Sequence, residues 1–277
     1  MGSSAAASPV PLIRRARGCR LYDLRGARFL DLYRDGGGAL LGHRAADSVT
    51  RMKSVLSQGL LSPVPSVWER RLVRVISSLF PDRIVTLFSS PARAREAVSR
   101  FLGVRVDASD VHDPAINDPP PVPPRAAFWR PFLPDAGMDG GAQVVLPLLP
   151  LTVCGAPSPV CFPEDPQDMD PFPDHVPGFV LAGALSALTR VQRSPKNQLV
   201  VDAGILRAVD SAAGWARRGP YVRATFAQSE YPRIVIEFLR AGVLLSPVYP
   251  GPSILPGECS PGEKRLLMDL FTSIPGG

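Results

Sequence analysis

Apolar and polar positions along this 277-residue chain switch repeatedly between strand-like alternation and helical spacing. Residues 20–24 ("RLYDL") and 28–33 ("RFLDLY") read as two short strands around Arg25-Gly26, a β-hairpin signal. Val49, Met52, Val55 and Leu56 recur at helical spacing and predict a helix over 47–59, capped by Asp47 and stopped at Gly59. A second helix is predicted over 66–79, with Ser66 and Glu69 as a capping box and Pro81 as its stop. "RIVTLF" (83–88) reads as a buried strand, and "ARAREAVSRFLG" (92–103) as the helix that follows it.

The middle is harder to parse. Residues 104–142 carry little regular pattern. "AQVVLPLLPLTVC" (142–154) predicts a strand, with Pro147 forcing a sheet edge or a strand end. A helix is predicted over 177–191. "LVVD" reads as a strand ending at Asp202, and 205–218 as a helix. The tail alternates again: strand 221–227, helix 231–242, strand 243–248 and a last helix over 260–273. That helix has Ser260 as cap, Pro261 at its first position and Glu263 at its third. Alternating strands and helices place the chain in the α/β class. No internal repeat of 20–50 residues is visible.

Composition narrows the functional classes. Hydrophobic residues make up 45% of the chain, enough for a sizeable core. The net charge of +6 rests on arginines spread along the sequence and on three lysines, Lys53, Lys196 and Lys264. No basic run is interleaved with aromatics, so no nucleic-acid partner is expected. Cys19, Cys154, Cys161 and Cys259 are far apart, without metal-ligand spacing, and read as reduced thiols. No apolar run suits a signal peptide or a membrane span, so the expectation is a cytoplasmic protein with no membrane partner. Proline is the outlier, with 32 residues concentrated in 114–134 and 147–177. These stretches predict loops or extended connections, and "PPPVPP" is a candidate polyproline ligand.

One string is specific. "GCRLYDLRGARFLDLYRDGGGALLGHRAADSVTRMKSVLSQG" resembles the opening of the class III aminotransferases, nearest their glutamate-1-semialdehyde aminotransferase branch. The matching positions are Asp23, Gly26, Asp31, Gly36 to Gly38, Gly42 and His43. "SVWERRLVRVISSLFPDRIVTLFSSPARAREAVSR" resembles the family's path to its cofactor phosphate. "FLRAGVLLSPVYPGPSILPGECSPGEKRLLMDLF" resembles its C-terminal small domain. The resemblance implies an abbreviated large domain of the fold type I pyridoxal-phosphate transferases, plus a small α+β domain built from both chain ends. The boundaries expected from it are 1–60 and 201–277 for the small domain, with 61–200 between. It also implies a homodimer, and pairing with a full-length paralogue is a further expectation.

Pyridoxal-phosphate chemistry needs a Schiff-base lysine, an acid at the pyridine nitrogen, a phosphate cup and a face for the ring. The resemblance places the cup at Ser89, Ser90 and Ala92. Pro91 lacks an N–H donor and Ala92 lacks a hydroxyl, so the cup reads as damaged. Arg93 or Arg95 can supply charge. The same residues also read as an ordinary helix start, with Ser90 as cap and Pro91 first. Lys196 is the one lysine at a plausible place for the Schiff base, although "SPKN" also reads as a polar turn. Asp165, Asp168, Asp170 and Asp174 lie upstream of it but follow no strand, and read as a solvated acidic loop. His43, Trp129 and His175 are candidate ring-stacking groups, with His43 also read as a capping or packing residue. The expectation is a degenerate aminotransferase-like protein that acts by binding or partnering. The alternative is a working aminotransferase or aminomutase that uses Lys196. A third class is a proline-rich interaction module whose segment 114–124 is dispensable for the fold.

Overall fold

The computed structural model describes residues 10–43, 45–118, 120–133, 141–166, 174–194 and 199–273. Both chain ends contribute to one sheet. Ile13–Arg17 (β1), Arg20–Asp23 (β2) and Arg28–Asp31 (β3) run antiparallel in that order. The predicted hairpin is β2–β3. Its turn is held by Asp23, whose Oδ1 accepts the N–H groups of Arg25 and Ala27 at 2.9 and 2.8 Å. β1 has no apolar pattern to announce it, because "IRRAR" is polar and mostly exposed. The short strand Val243–Leu244 (β10) adds to β3 in parallel, pairing with Leu30 and Asp31. Cys19, Leu30 and Leu32 thereby enter a core otherwise built from residues 205–271.

The middle of the chain forms a four-stranded mixed sheet. Its strands are Ile84–Phe88 (β4), Ala126–Trp129 (β5), Val144–Pro147 (β6) and Ser158–Phe162 (β7), in the order β4-β7-β6-β5. Neighbouring residues point to opposite faces. Ala127, Val145 and Cys161 face helices α1 (Ala46–Leu56), α2 (Val67–Leu79) and α4 (Gly178–Gln192). Ala126, Val144 and Val160 face α3 (Pro91–Leu102). Helices on both faces explain why these strands read as apolar runs rather than alternating ones. Pro147 ends β6, which lies between β7 and β5, so it marks a strand end and not an edge. β5 lies inside the stretch expected to carry little regular structure. α1 packs with the middle of the chain through Val55, which is fully buried against α2 and α4.

A third sheet comprises Trp215–Arg218 (β8), Tyr221–Ala224 (β9) and Ser253–Ile254 (β11), ordered β11-β9-β8. Around it lie α5 (Ala203–Ser211), α6 (Tyr231–Arg240) and α7 (Pro261–Ser273). The helix predicted over 205–218 stops at Ser211. Gly214, at φ +84°, turns the chain, and 215–218 becomes a strand. Trp215 sits among Phe226, Phe238 and Phe271, with ring centroids 5.1 to 5.8 Å away. Asp202 ends no strand. It caps α5 by accepting the Gly204 N–H at 2.9 Å, and it pairs with Lys264 at 2.6 Å. The predicted caps of α1 and α2 do not form: Ala45 precedes α1, and the Ser66 hydroxyl is buried without a partner.

The cap of α7 forms as predicted. Ser260 N–H donates to Glu263 at 2.7 Å, and Glu263 N–H donates to Ser260 Oγ at 3.3 Å. Glu263 also takes two hydrogen bonds from Arg20 on β2, at 2.7 and 2.6 Å. The Arg20 guanidinium holds the Glu263 carboxyl down at about 2. A carboxyl depressed in the folded state contributes stability above its unfolded value and loses it as pH falls. Glu263 should therefore supply about 1–2 kcal/mol at neutral pH once solvent screening is allowed for, lost as pH falls from about 4.5 to about 2. Urea titrations at stepped pH should show this slope in the parent and a much shallower one in Glu263→Gln. An equal slope in both proteins would remove Glu263 from the account.

Candidate functional site

The candidate site is built where the glycine-rich loop meets the start of α3. Asp31, at the end of β3, is buried. Its Oδ1 accepts the N–H groups of Tyr33 and Arg34, both at 2.9 Å, and its Oδ2 lies 2.6 Å from His43 Nε2. Arg34 to Gly37 all have positive φ, a run that needs glycine or tight side-chain anchoring. The anchors are present. Arg34 is buried and donates to the carbonyls of Asp31 and Leu40 at 3.4 and 3.2 Å. Asp35 accepts a short hydrogen bond from the Thr152 hydroxyl. Gly42 makes the closest backbone approach here. At φ +90°, any Cβ it carried would fall 2.9 Å from Gly18 Cα.

Behind the loop lies a buried ion pair. Arg130, just past β5, meets Asp113 with both arms of its fork, Nε at 2.7 Å and Nη2 at 2.5 Å. Its remaining nitrogen donates to Gly36 O at 2.8 Å. Its guanidinium carbon lies 5.4 Å from the centre of the Tyr221 ring, on β9. Neighbouring arginines reach the same segment. Arg218 donates to Pro114 O at 3.0 Å, and Arg223 donates to Ile116 O and pairs with Asp118 at 2.8 Å. The start of the proline-rich stretch is thus wired into three parts of the structure. Deleting 114–124 should disrupt the fold, against the expectation that this segment is dispensable.

In front of the loop is a cavity of about 380 Å³, within the range of small-molecule sites. Asp35, Gly36, Ser89, Ser90, Arg95 and Phe128 line it, above an apolar floor from the end of β6 and the loop after it. α3 opens with Ser90 as its cap, accepting the Arg93 N–H at 3.3 Å, and with Pro91 at its first position. The Ala94 amide donates to Ser90 O, and Pro91 has no N–H. The Ser89 amide donates to the Asp174 carboxylate at 2.8 Å, and Arg93 Nε lies 3.8 Å from the same carboxylate. Only the amides of Ser90 and Ala92 are left for a ligand. Asp174 is therefore no solvated loop residue. It is half-buried, and it holds a negative charge at the amino end of α3, where free amides and the helix dipole favour an anion.

The other site residues read from the sequence scatter. Ser89 and Ser90 line the cavity, whereas Ala92 is exposed and does not. Lys196, Asp168 and Asp170 lie outside the described residues. Lys53 is exposed on α1 and Asp165 is exposed in its loop. His43 is bound to Asp31, His175 lies 3.7 Å from Glu69, and Trp129 is buried edge-to-face against Phe80. None of the three rings lines the cavity; Phe128 does. Among the described residues, no cluster of three or more His, Cys, Asp or Glu can hold a metal ion, and no helix is long and apolar enough to cross a membrane.

No protein-family model matches the chain. An uncharacterized protein of Treponema pallidum is 26% identical over 88% of each chain. Another, from Borreliella burgdorferi, is 26% identical over 92% of this chain and 87% of that one. The glutamate-1-semialdehyde 2,1-aminomutase of Caldicellulosiruptor bescii is 30% identical over 91 residues, which cover 33% of this chain and 21% of that protein. Among solved structures, an omega-transaminase from Sphaerobacter thermophilus superposes with a TM-score of 0.67 at 12% identity, covering 97% of this chain and 91% of that one. An ornithine aminotransferase from Plasmodium yoelii gives 0.69 at 13% identity, covering 98% and 95%.

Proposed function

From a chain with the fold of the class III aminotransferases, we propose that transamination has been abandoned and that the protein acts by binding or partnering. One observation carries this reading: the Asp174 carboxylate sits on the Ser89 amide at the amino end of α3. A phosphate at that helix end would lie beside a half-buried carboxylate. Two unit charges 4 Å apart repel by about 4 kcal/mol in a partly buried setting. Arg93 is already 3.8 Å from that carboxylate and so is partly spent on it. Arg95 is the other cation at the cavity. Pro91, the internally used amides of Arg93 and Ala94, and the exposed Ala92 add little to offset the repulsion. The described residues therefore do not fit pyridoxal phosphate in the manner expected of the family.

The likeness in fold supports a homodimer, and the proposal extends to pairing with a full-length paralogue and to a place in the cytoplasm. It also supports two domains, one from both chain ends and one from the middle. The first boundary would fall before α1, because Val55 packs with the middle.

The experiment is a titration of the purified chain with pyridoxal phosphate, followed by absorbance near the visible edge and by borohydride reduction. The expected result is no reducible band. A band that Lys196→Ala abolishes would overturn the proposal in favour of a working aminotransferase or aminomutase with Lys196 as the Schiff-base residue. Asp174→Ser should restore weak phosphate affinity at Ser89 and Ser90, read by calorimetry with inorganic phosphate.

A further inference from the structure

α1, α2 and α4 enclose a groove of about 770 Å³ on the far side of the middle sheet from α3. Four arginines line it: Arg51 from α1, Arg71 from α2, and Arg190 and Arg193 from the end of α4. Asp47 is the one acid among the lining residues. Among the described residues, none of these arginines makes an ion pair. Arg20, Arg130, Arg217 and Arg223, by contrast, are each held by a carboxylate. Arg51 and Arg71 both lie over the ring of Trp68, at 5.8 and 4.8 Å from its centre. The indole is buried, and it offers its ring to both guanidiniums.

Cations at the end of α4 are partly explained by its dipole. That accounts for Arg190 and Arg193, but not for Arg51 and Arg71, which come from other helices. Four like charges around one concavity repel each other and focus a positive potential into it. An anion bridging them would reverse that cost. Guanidinium forks match phosphate oxygens two at a time, and the groove volume suits a small ligand. We propose that the α1–α2–α4 groove binds a small molecule carrying two or more phosphoryl groups. This site is separate from the cavity at α3 and does not depend on the reading of that cavity.

Pyrophosphate serves as the probe, titrated into the full chain at fixed ionic strength and followed by tryptophan fluorescence and calorimetry. Saturable one-site binding is expected. Arg51→Gln/Arg190→Gln should weaken it at least tenfold, and so should the independent pair Arg71→Gln/Arg193→Gln. Arg95→Gln, in the other cavity, should leave it unchanged. Absence of saturable binding, or loss only in Arg95→Gln, would overturn the proposal. Equal affinity for citrate would overturn the phosphate assignment. If polyglutamate binds and pyrophosphate does not, or if the arginine variants shift the oligomeric state without any pyrophosphate binding, the groove is a protein-docking face and the proposal fails.

Discussion

Replacing Arg130 with methionine is expected to destabilise the protein by about 3–5 kcal/mol, read as a lowered urea midpoint at an unchanged slope. Arg130 and Asp113 are both buried, and the bidentate contact satisfies most of their polar atoms. Removing the cation leaves a buried carboxylate whose remaining partner is the Ala115 amide at 3.0 Å. It also frees Gly36 O, which Arg130 holds at 2.8 Å. The cost therefore comes from the orphaned charge more than from the lost attraction. A second variant tests that explanation. Arg130→Met/Asp113→Leu removes both charges and should recover at least half of the loss, because a buried pair is often replaceable by apolar groups. If the double variant is as unstable as the single one, shape rather than charge controls the site.

Gly42→Ala should cost about 3 kcal/mol or more. Two effects add. The φ of +90° is strained for any residue with a Cβ, costing on the order of 1–3 kcal/mol. The new Cβ would also press on Gly18, 2.9 Å from its Cα and 3.1 Å from its carbonyl carbon and oxygen. Neither partner is a flexible side-chain end, so the loop itself must shift. Such a shift pulls His43 away from Asp31 and loosens the Gly18 O contact with the His43 amide, now 2.9 Å. Gly26→Ala is the natural control. Its φ is +86°, but nothing lies within 4 Å of its Cβ position. It should lose only the strain, about 1–2 kcal/mol. Equal losses at the two positions would show that the close approach to Gly18 carries no energy.

The legible parts of the sequence were those in which local chemistry and final contacts agree. Asp23 and Gly26 act within a few residues of themselves, and Asp31 and Gly42 act within the one string of residues 18–43, so their spacing could be read directly. Ser260 and Glu263 form the cap that their order predicts. β5 and β7 are four and five residues long, and each lies close to prolines. Their strand character comes from pairing partners far along the chain, which leaves little local pattern to read. The helical spacing of 205–218 was real as far as Ser211, and Gly214 overrode the rest. At the candidate site, Ser90 and Pro91 behave as a helix start, as the residue types suggest. The role of Asp174 was hidden. Its partner is 85 positions away, and only the fold brings a carboxylate onto the Ser89 amide. The Arg130–Asp113 pair was hidden for another reason: its two ends are 17 positions apart across a proline-rich stretch, and no motif marks such a salt bridge.

The pairing of β10 with β3 imposes an order of assembly during synthesis. β1 to β3 emerge from the ribosome more than two hundred residues before Val243, the neighbour that Leu30 waits for. The Arg20–Glu263 bridge must wait still longer. Until then Leu30 and Leu32 lack the α6 and α7 residues that bury them. The middle sheet has no such delay, because its strands and helices span 46–192 without either end. A nascent chain stopped before 243 would carry a formed centre and an unfinished, sticky amino-terminal hairpin. For this protein a segment translated late makes one translated much earlier safe.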